Sequence, residues 1–186
     1  MAVYAALLRG INVGGNNIVK MAELKRMFES IGLERVQTYI QSGNVLFVSD
    51  ETESPLRARI EDAFQATFGF AVTVVLRTAD QLRRVVADCP FPEDEVRAAE
   101  EASGGEVLYM AFLTEEPPAD RVALLRPFEN GVDEFRTAGR DVYFIFRQGM
   151  RNAKLADQIP KLKVPATVRN RKTVAKLIAL ADAMEA

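Results

Sequence analysis

The feature that most constrains the fold is a repeat. Residues 75–86, VLRTADQLRRVV, lie over residues 167–178, TVRNRKTVAKLI. In both, an apolar strand ends in an arginine, a helix-capping residue follows, and apolar residues resume in register. When the end of one supersecondary unit recurs in a chain, recurrence of the whole unit is the first expectation. The segments upstream of each copy agree.

In the first half, Val3–Ile11 is an apolar run that reads as a buried strand. Met21, Leu24, Phe28 and Ile31 share one face of a helix that Gly32 stops. Val36–Ile40 and Val45–Val48 read as a hairpin across Ser42-Gly43. A second helix is expected from Ser54 as cap and Pro55 as first helical residue, with Leu56, Ile60, Phe64 and Phe68 inward. Ala71–Leu76 is a fourth strand. Thr78 and Gln81 have the spacing of a capping box for a trailing helix with Leu82, Val85 and Val86 inward.

The second half runs in the same order. Val107–Leu113 is a strand, and Pro117-Pro118 opens a helix with Val122 and Leu125 inward. Glu134–Thr137 and Val142–Phe146 form a hairpin across Ala138-Gly139. Asn152 caps a helix with Leu155 and Ile159, broken near Pro160. Ala166–Val168 is a strand, and Asn170 caps a last helix with Val174, Leu177, Ile178, Ala181 and Met184 inward.

The expected class is therefore α+β: duplicated ferredoxin-like βαββαβ units, each an antiparallel four-stranded sheet with a trailing helix. The first unit is expected over residues 1–90 and the second over 106–186. The acidic, Pro- and Gly-bounded stretch 91–105 reads as a connector with a helical turn or two. Units of about 80 residues are marginal alone, so an extensive interface between them is expected, by docking or by strand exchange.

Composition limits the chemistry. The chain has no histidine and one cysteine, Cys89. This removes Ser-His and Cys-His nucleophilic pairs, histidine bases and histidine-ligated metals. No disulfide framework can form within the chain, which agrees with a reducing compartment. No apolar run approaches the roughly 18–20 residues of a membrane span, and the N-terminal stretch reads as a strand and not as a signal peptide. The expectation is a cytoplasmic protein with no membrane partner, no metal and no cofactor.

Net charge is −2 but unevenly spread. Residues 90–140 hold 5 basic and 12 acidic residues, and residues 141–186 hold 9 and 4. A basic face at the C-terminal end survives in a mildly acidic whole.

Three segments stand out as candidates for binding. The first is the loop Arg9-Gly10-Ile11-Asn12-Val13-Gly14-Gly15-Asn16-Asn17, leading to Lys20. It exceeds the usual 2–6 residues of a strand-to-helix connection. Gly14 and Gly15 would let backbone N–H groups approach a ligand, Arg9 and Lys20 would add charge, and the following helix start favours an anion. It matches neither GxGxxG nor GxxxxGK[ST], so no nucleotide fingerprint is present. The alternative is a loop whose left-handed turns simply require Gly and Asn.

The second candidate is Thr167–Thr173. There Arg169, Arg171 and Lys172 surround a helix start where the dipole disfavours cations by roughly 0.3–1 kcal/mol each. Such placement invites an anionic partner, and Arg147, Arg151, Lys154, Lys161 and Lys163 extend the patch. The alternative is a solvated face whose cations pair with the acidic 90–140 segment. The third candidate is the hairpin tip at Gln41, Ser42 and Asn44, which either orients a ligand or satisfies a tight turn.

Two further features read as packing. Cys89 has no base to activate it. The aromatic strand Val142–Phe146 lacks the glycine and basic spacing of an RNA-stacking strand.

LLRGINVGGNN…KMAELK, YIQSGNVLF and TVRNRKTVAKL together resemble the signatures of domain-of-unknown-function family sixteen-ninety-seven, over nearly the whole chain. The resemblance implies a cytoplasmic bacterial protein with a duplicated α+β fold. It brings no activity, cofactor or catalytic residue with it.

Three functions remain open. In the first, a small phosphate- or carboxylate-bearing ligand sits between the Gly/Asn loop and the basic helix start, with Arg9, Lys20, Arg169 and Arg171 supplying charge. Asn12, Asn16, Gln41 and Asn170 orient it, beside Ser42 and Asn44. In the second, the C-terminal basic face binds nucleic acid. The third is an enzyme working without histidine.

Overall fold

A computed structural model describes residues 1–186. The chain forms two compact units, one of residues 1–84 with 176–186 and one of residues 85–175. Each is an antiparallel four-stranded sheet with helices, in the same strand order, which is the duplicated ferredoxin-like α+β architecture.

In unit 1 the strands are β1 (Ala2–Leu8), β2 (Glu34–Tyr39), β3 (Asn44–Ser49) and β4 (Val74–Thr78), ordered β2-β3-β1-β4. Central β1 pairs with β3 and β4, setting Ala5 opposite Leu46 on one side and Arg77 on the other. Helices α1 (Met21–Ser30) and α2 (Glu53–Phe68) bury Leu24, Met27 and Phe28, and Leu56, Ile60 and Phe64. These meet Tyr4, Ala6 and Leu8 in one core. The alternate residues Val3, Ala5 and Leu7 are buried as well. This explains why β1 reads as a continuous apolar run and not as an alternation.

Two details of unit 1 differ from expectation. Thr52, not Ser54, occupies the cap position of α2, without a side-chain bond, and Pro55 falls within the first turn. Proline fits there because the N–H groups of that turn have no intrahelical partner to lose. The capping box at α3 (Ala79–Ala87) forms as expected. Thr78 N–H donates to Gln81 Oε1 at 2.8 Å, and Gln81 N–H donates to Thr78 Oγ1 at 3.2 Å. Leu82 and Val85 are buried, but Val86 is 43% exposed. A single helical stripe has no room for a third inward residue adjacent to Val85.

In unit 2, α4 (Glu93–Ser103) occupies most of the expected connector. Glu93, Asp94 and Glu95 suit the positive end of its dipole, Val96 and Ala99 bury one face, and Gly104 ends it at φ +74°. Two inward residues are too few to register as helical periodicity.

The strands β5 (Leu108–Leu113), β6 (Asp133–Ala138), β7 (Asp141–Phe146) and β8 (Ala166–Asn170) order as β6-β7-β5-β8. The helical parts are short: α5 (Ala119–Ala123), then 3₁₀ turns at Arg126–Phe128 and Ala156–Leu162. Pro160 lies inside the last of these, which accounts for a 3₁₀ segment where a helix capped by Asn152 was expected. Phe135, Val142, Phe144 and Phe146 build the core. Tyr143 is buried, and its hydroxyl donates to Val85 O at 2.6 Å. The aromatic strand is thus core and offers no stacking surface. The last helix, α6 (Arg171–Glu185), starts in unit 2 and ends in unit 1. No helix is long and apolar enough to cross a membrane.

Candidate functional site

The Gly/Asn loop belongs to unit 1 and is a miniature hairpin. Asn16 N–H donates to Val13 O at 3.0 Å across Gly14 and Gly15, whose φ values are +58° and +78°. Two consecutive positive φ values are the requirement of a two-residue hairpin turn, and only glycine meets it without cost. The base of the loop is held by Asn12, itself at φ +54°. Its Nδ2 donates to Val19 O at 3.0 Å and to Gln41 O at 2.8 Å, while its Oδ1 accepts from Val19 N–H at 2.8 Å. Asn17 Nδ2 reaches Gly10 O at 3.2 Å.

The β2–β3 turn closes against this loop. Leu8 N–H donates to Gly43 O at 2.9 Å, and Gly43, at φ +91°, leaves no room for a side chain beside Ile11. Asn44 is buried, with Nδ2 donating to Tyr39 O and Ser42 Oγ at 3.0 and 2.9 Å. Asn12, Gln41, Ser42 and Asn44 are therefore brought together, through bonds that shape the backbone. Arg9, Gly14, Gly15, Asn16 and Lys20 are solvent-exposed. Lys20 caps α1 by position, without a side-chain bond.

Arg169, Asn170 and Arg171 lie in unit 2, at the end of β8 and the start of α6. Asn170 Oδ1 accepts from Thr173 N–H at 2.8 Å, the expected cap. Arg169 is buried, and burial lowers it to about 10. Its Nη1 donates to Thr167 Oγ1 at 2.6 Å and to Val168 O at 3.0 Å. Arg171 meets the acidic segment: Nη2 donates to Glu93 Oε1 at 2.5 Å, and Nη1 lies 3.9 Å from Glu100 Oε1. Burial alone would lower Arg171, but Glu93 and Glu100 outweigh it, so the guanidinium stays charged. Arg147 is likewise held by Glu95 and Glu134.

Arg171 also borders a cavity of about 250 Å³. The wall is formed by Val86, Phe91, Val96, Leu108 and Met110, with Cys89 and Glu93 beside them. Arg171 Nη1 is buried and has no hydrogen-bond acceptor. Burial pushes the Cys89 thiol up, so it keeps its proton at neutral pH and is no nucleophile. Two other hollows exist, one beside α5 near Arg126 and Thr137 and one between the ends of α1 and α2 near Glu23 and Arg26. Neither is bordered by a buried donor that lacks an acceptor. The cavity-wall residues went unread in the sequence, because Phe91 and Val96 sit in what looked like a polar connector.

Residues 1–143 match the family described as protein of unknown function (DUF1697). The chain belongs to this family. Two of the segments that carried the resemblance, LLRGINVGGNN and YIQSGNVLF, lie within the matched residues and are the two stretches that Asn12 and Gly43 lock together. The third, TVRNRKTVAKL, lies beyond the matched residues. The DUF1697 chain is also similar to a solved structure, the conserved bacterial protein SP0830 from Streptococcus pneumoniae. Identity is 28% over 97% of this chain and 98% of that one, with a TM-score of 0.73. No curated protein matches it.

Proposed function

We propose that the protein binds a small anionic ligand at the basic start of α6, in the cavity bordered by Arg171. The single observation behind this reading is that Arg171, a residue lining an apolar hollow, carries a buried Nη1 donor with no acceptor. A buried, unsatisfied N–H costs about 1–3 kcal/mol, and more on a charged group. A ligand oxygen placed there recovers that cost. Arginine suits the role because its planar fork donates two parallel hydrogen bonds to a carboxylate or phosphate.

The Gly/Asn loop contributes no ligand contact in this reading, because the Asn12 and Asn44 side chains are already committed to backbone groups. Nucleic-acid binding is the weaker reading, since Arg147 and Arg171 are engaged by carboxylates and the local field is acidic.

Thermal shift with a panel of small phosphates and carboxylates tests the proposal. At least one class should raise the Tm of the wild type by several degrees, and Arg171→Gln should abolish the rise while remaining folded by circular dichroism. A panel that leaves the wild-type Tm unmoved counts against it.

A further inference from the structure

We infer that the ligand of this cavity is a compact apolar monocarboxylate and not a phosphate ester, an inference that rests on the anion-binding reading above. The argument starts from the wall. Val86, Ala87, Phe91, Val96, Leu108 and Met110 present hydrocarbon to the interior, and only Arg171 and Glu93 are charged. Apolar surface repays an apolar ligand body by roughly 25 cal/mol per Å² buried. A phosphate ester rich in hydroxyl groups would leave those groups without partners on such a wall.

Charge selects in the same direction. The guanidinium is already bonded to Glu93 and faces Glu100 at 3.9 Å. Residues 93–106 carry six carboxylates against one basic residue, Arg97. A phosphate dianion would enter this field with twice the repulsion of a carboxylate. It would also bring three acceptor oxygens to a fork that offers two donors at most, and the third oxygen would be desolvated without compensation.

A carboxylate has a simpler route. The Glu93 side chain is 61% exposed. Its pairing with Arg171 is therefore a weak surface ion pair, so it can swing into water and release the guanidinium. The ligand carboxylate then takes both fork nitrogens inside the apolar hollow, where the pair is screened less. Size sets the upper limit. At about 250 Å³ the space falls below the roughly 300–1,000 Å³ of sites for drug-sized molecules, so it suits a body on the order of ten non-hydrogen atoms. Benzoate and hexanoate are probes of that shape.

The experiment is isothermal titration of the full chain with benzoate, hexanoate, phenyl phosphate and benzamide. Benzoate and hexanoate are expected to bind saturably, at least tenfold more tightly than phenyl phosphate or benzamide. Glu93→Gln, at an exposed position, removes the competing carboxylate and should tighten benzoate binding about three- to tenfold. Arg171→Gln should weaken it at least tenfold. Ala87→Phe, at the rim, should weaken it without touching the charge, which guards against an Arg171 variant that fails to fold.

Phenyl phosphate binding more tightly than benzoate, with the same dependence on Arg171, overturns this inference and leaves the anion-binding reading standing. Weakening by Glu93→Gln overturns it too, because Glu93 would then hold the ligand and not compete with it. Benzamide binding as tightly as benzoate, or no binding by any probe or by the wider panel, overturns both.

Discussion

The two units share one strand order and fill it differently. Unit 1 covers its sheet with regular helices of 10 and 16 residues. Unit 2 uses a helix of 5 residues and a 3₁₀ segment of 7 at the corresponding places. Proline distribution accounts for much of this: of eight prolines, only Pro55 lies in unit 1. Pro127 and Pro160 sit inside the 3₁₀ turns of unit 2, where each removes a backbone donor and blocks a continuous helix. Unit 1 concentrates its special backbone instead at one sheet end, the Gly/Asn loop and the β2–β3 turn. One unit has a preorganised edge, and the other has irregular cover on the sheet face of Ala111 and Leu113 and a hollow on the face of Leu108 and Met110. The same strand order therefore carries a preorganised edge in one copy and a cavity in the other.

The largest expected effect tests the preorganised edge. Gly43 sits at φ +91°, and a Cβ there would lie 2.7 Å from Ile11 Cδ1 and 3.0 Å from Leu8 Cβ. Gly139, in the matching turn of unit 2, has φ +58° and open space around it. Gly43→Ala is expected to cost about 2–4 kcal/mol, from combined backbone strain and overpacking. Gly139→Ala should cost about 1 kcal/mol, from backbone alone. Urea unfolding of both variants checks this. Equal costs would mean that the two turns are equally tolerant and that the contrast drawn here is wrong.

A middle-sized effect is expected from Asn12→Ala. It removes two donated bonds and one accepted bond, and it leaves alanine at φ +54°. The cost should be about 2–3 kcal/mol. Hydrogen exchange should quicken at Val19, whose amide Asn12 accepts, while unit 2 stays protected. Quickened exchange in both units alike would show that the loop is not a local device.

How much of this was legible before the structure depends on how local each signal is. The Thr78–Gln81 capping box is set by neighbours three residues apart, and each strand or helix by its own run of apolar residues, so the box and the βαββαβ order of elements were both legible. The Gly/Asn loop was recognised as unusual, but its reason was not readable. The partner of Asn12 is Gln41, 29 residues away, and the space that Gly43 must leave empty is claimed by Ile11. Helix α4 was read only as a helical turn or two within a connector, because Val96 and Ala99 alone give too faint a period. The cavity was missed with it, since its wall draws on α3, α4, β5 and α6 together. Arg171 was singled out for standing against the helix dipole. The local remedy, Glu93 and Glu100, came from a segment whose fold had not been anticipated.

The smallest expected effect concerns a buried carboxyl in the irregular unit. Asp133 opens β6 and is buried, whereas Glu34, which opens β2 in unit 1, is exposed. Burial raises the Asp133 carboxyl above its usual range, and Arg147 opposes this only in part. The folded state thus holds this proton more tightly than the unfolded chain does. As pH rises from the ordinary carboxylate value through the raised one, the folded state binds more protons than the unfolded state, and stability falls. At neutral pH the whole penalty is in place. Asp133→Asn removes the titration, so its stability relative to wild type should be more favourable at pH 7 than at pH 3. Unfolding curves for wild type and variant at both pH values decide the matter. An Asp133→Asn variant that loses ground at pH 7 would mean that Arg147 stabilises the charged carboxylate outright. The acidic cluster around Arg147 would then be a net source of stability in unit 2 and not a site of desolvation cost.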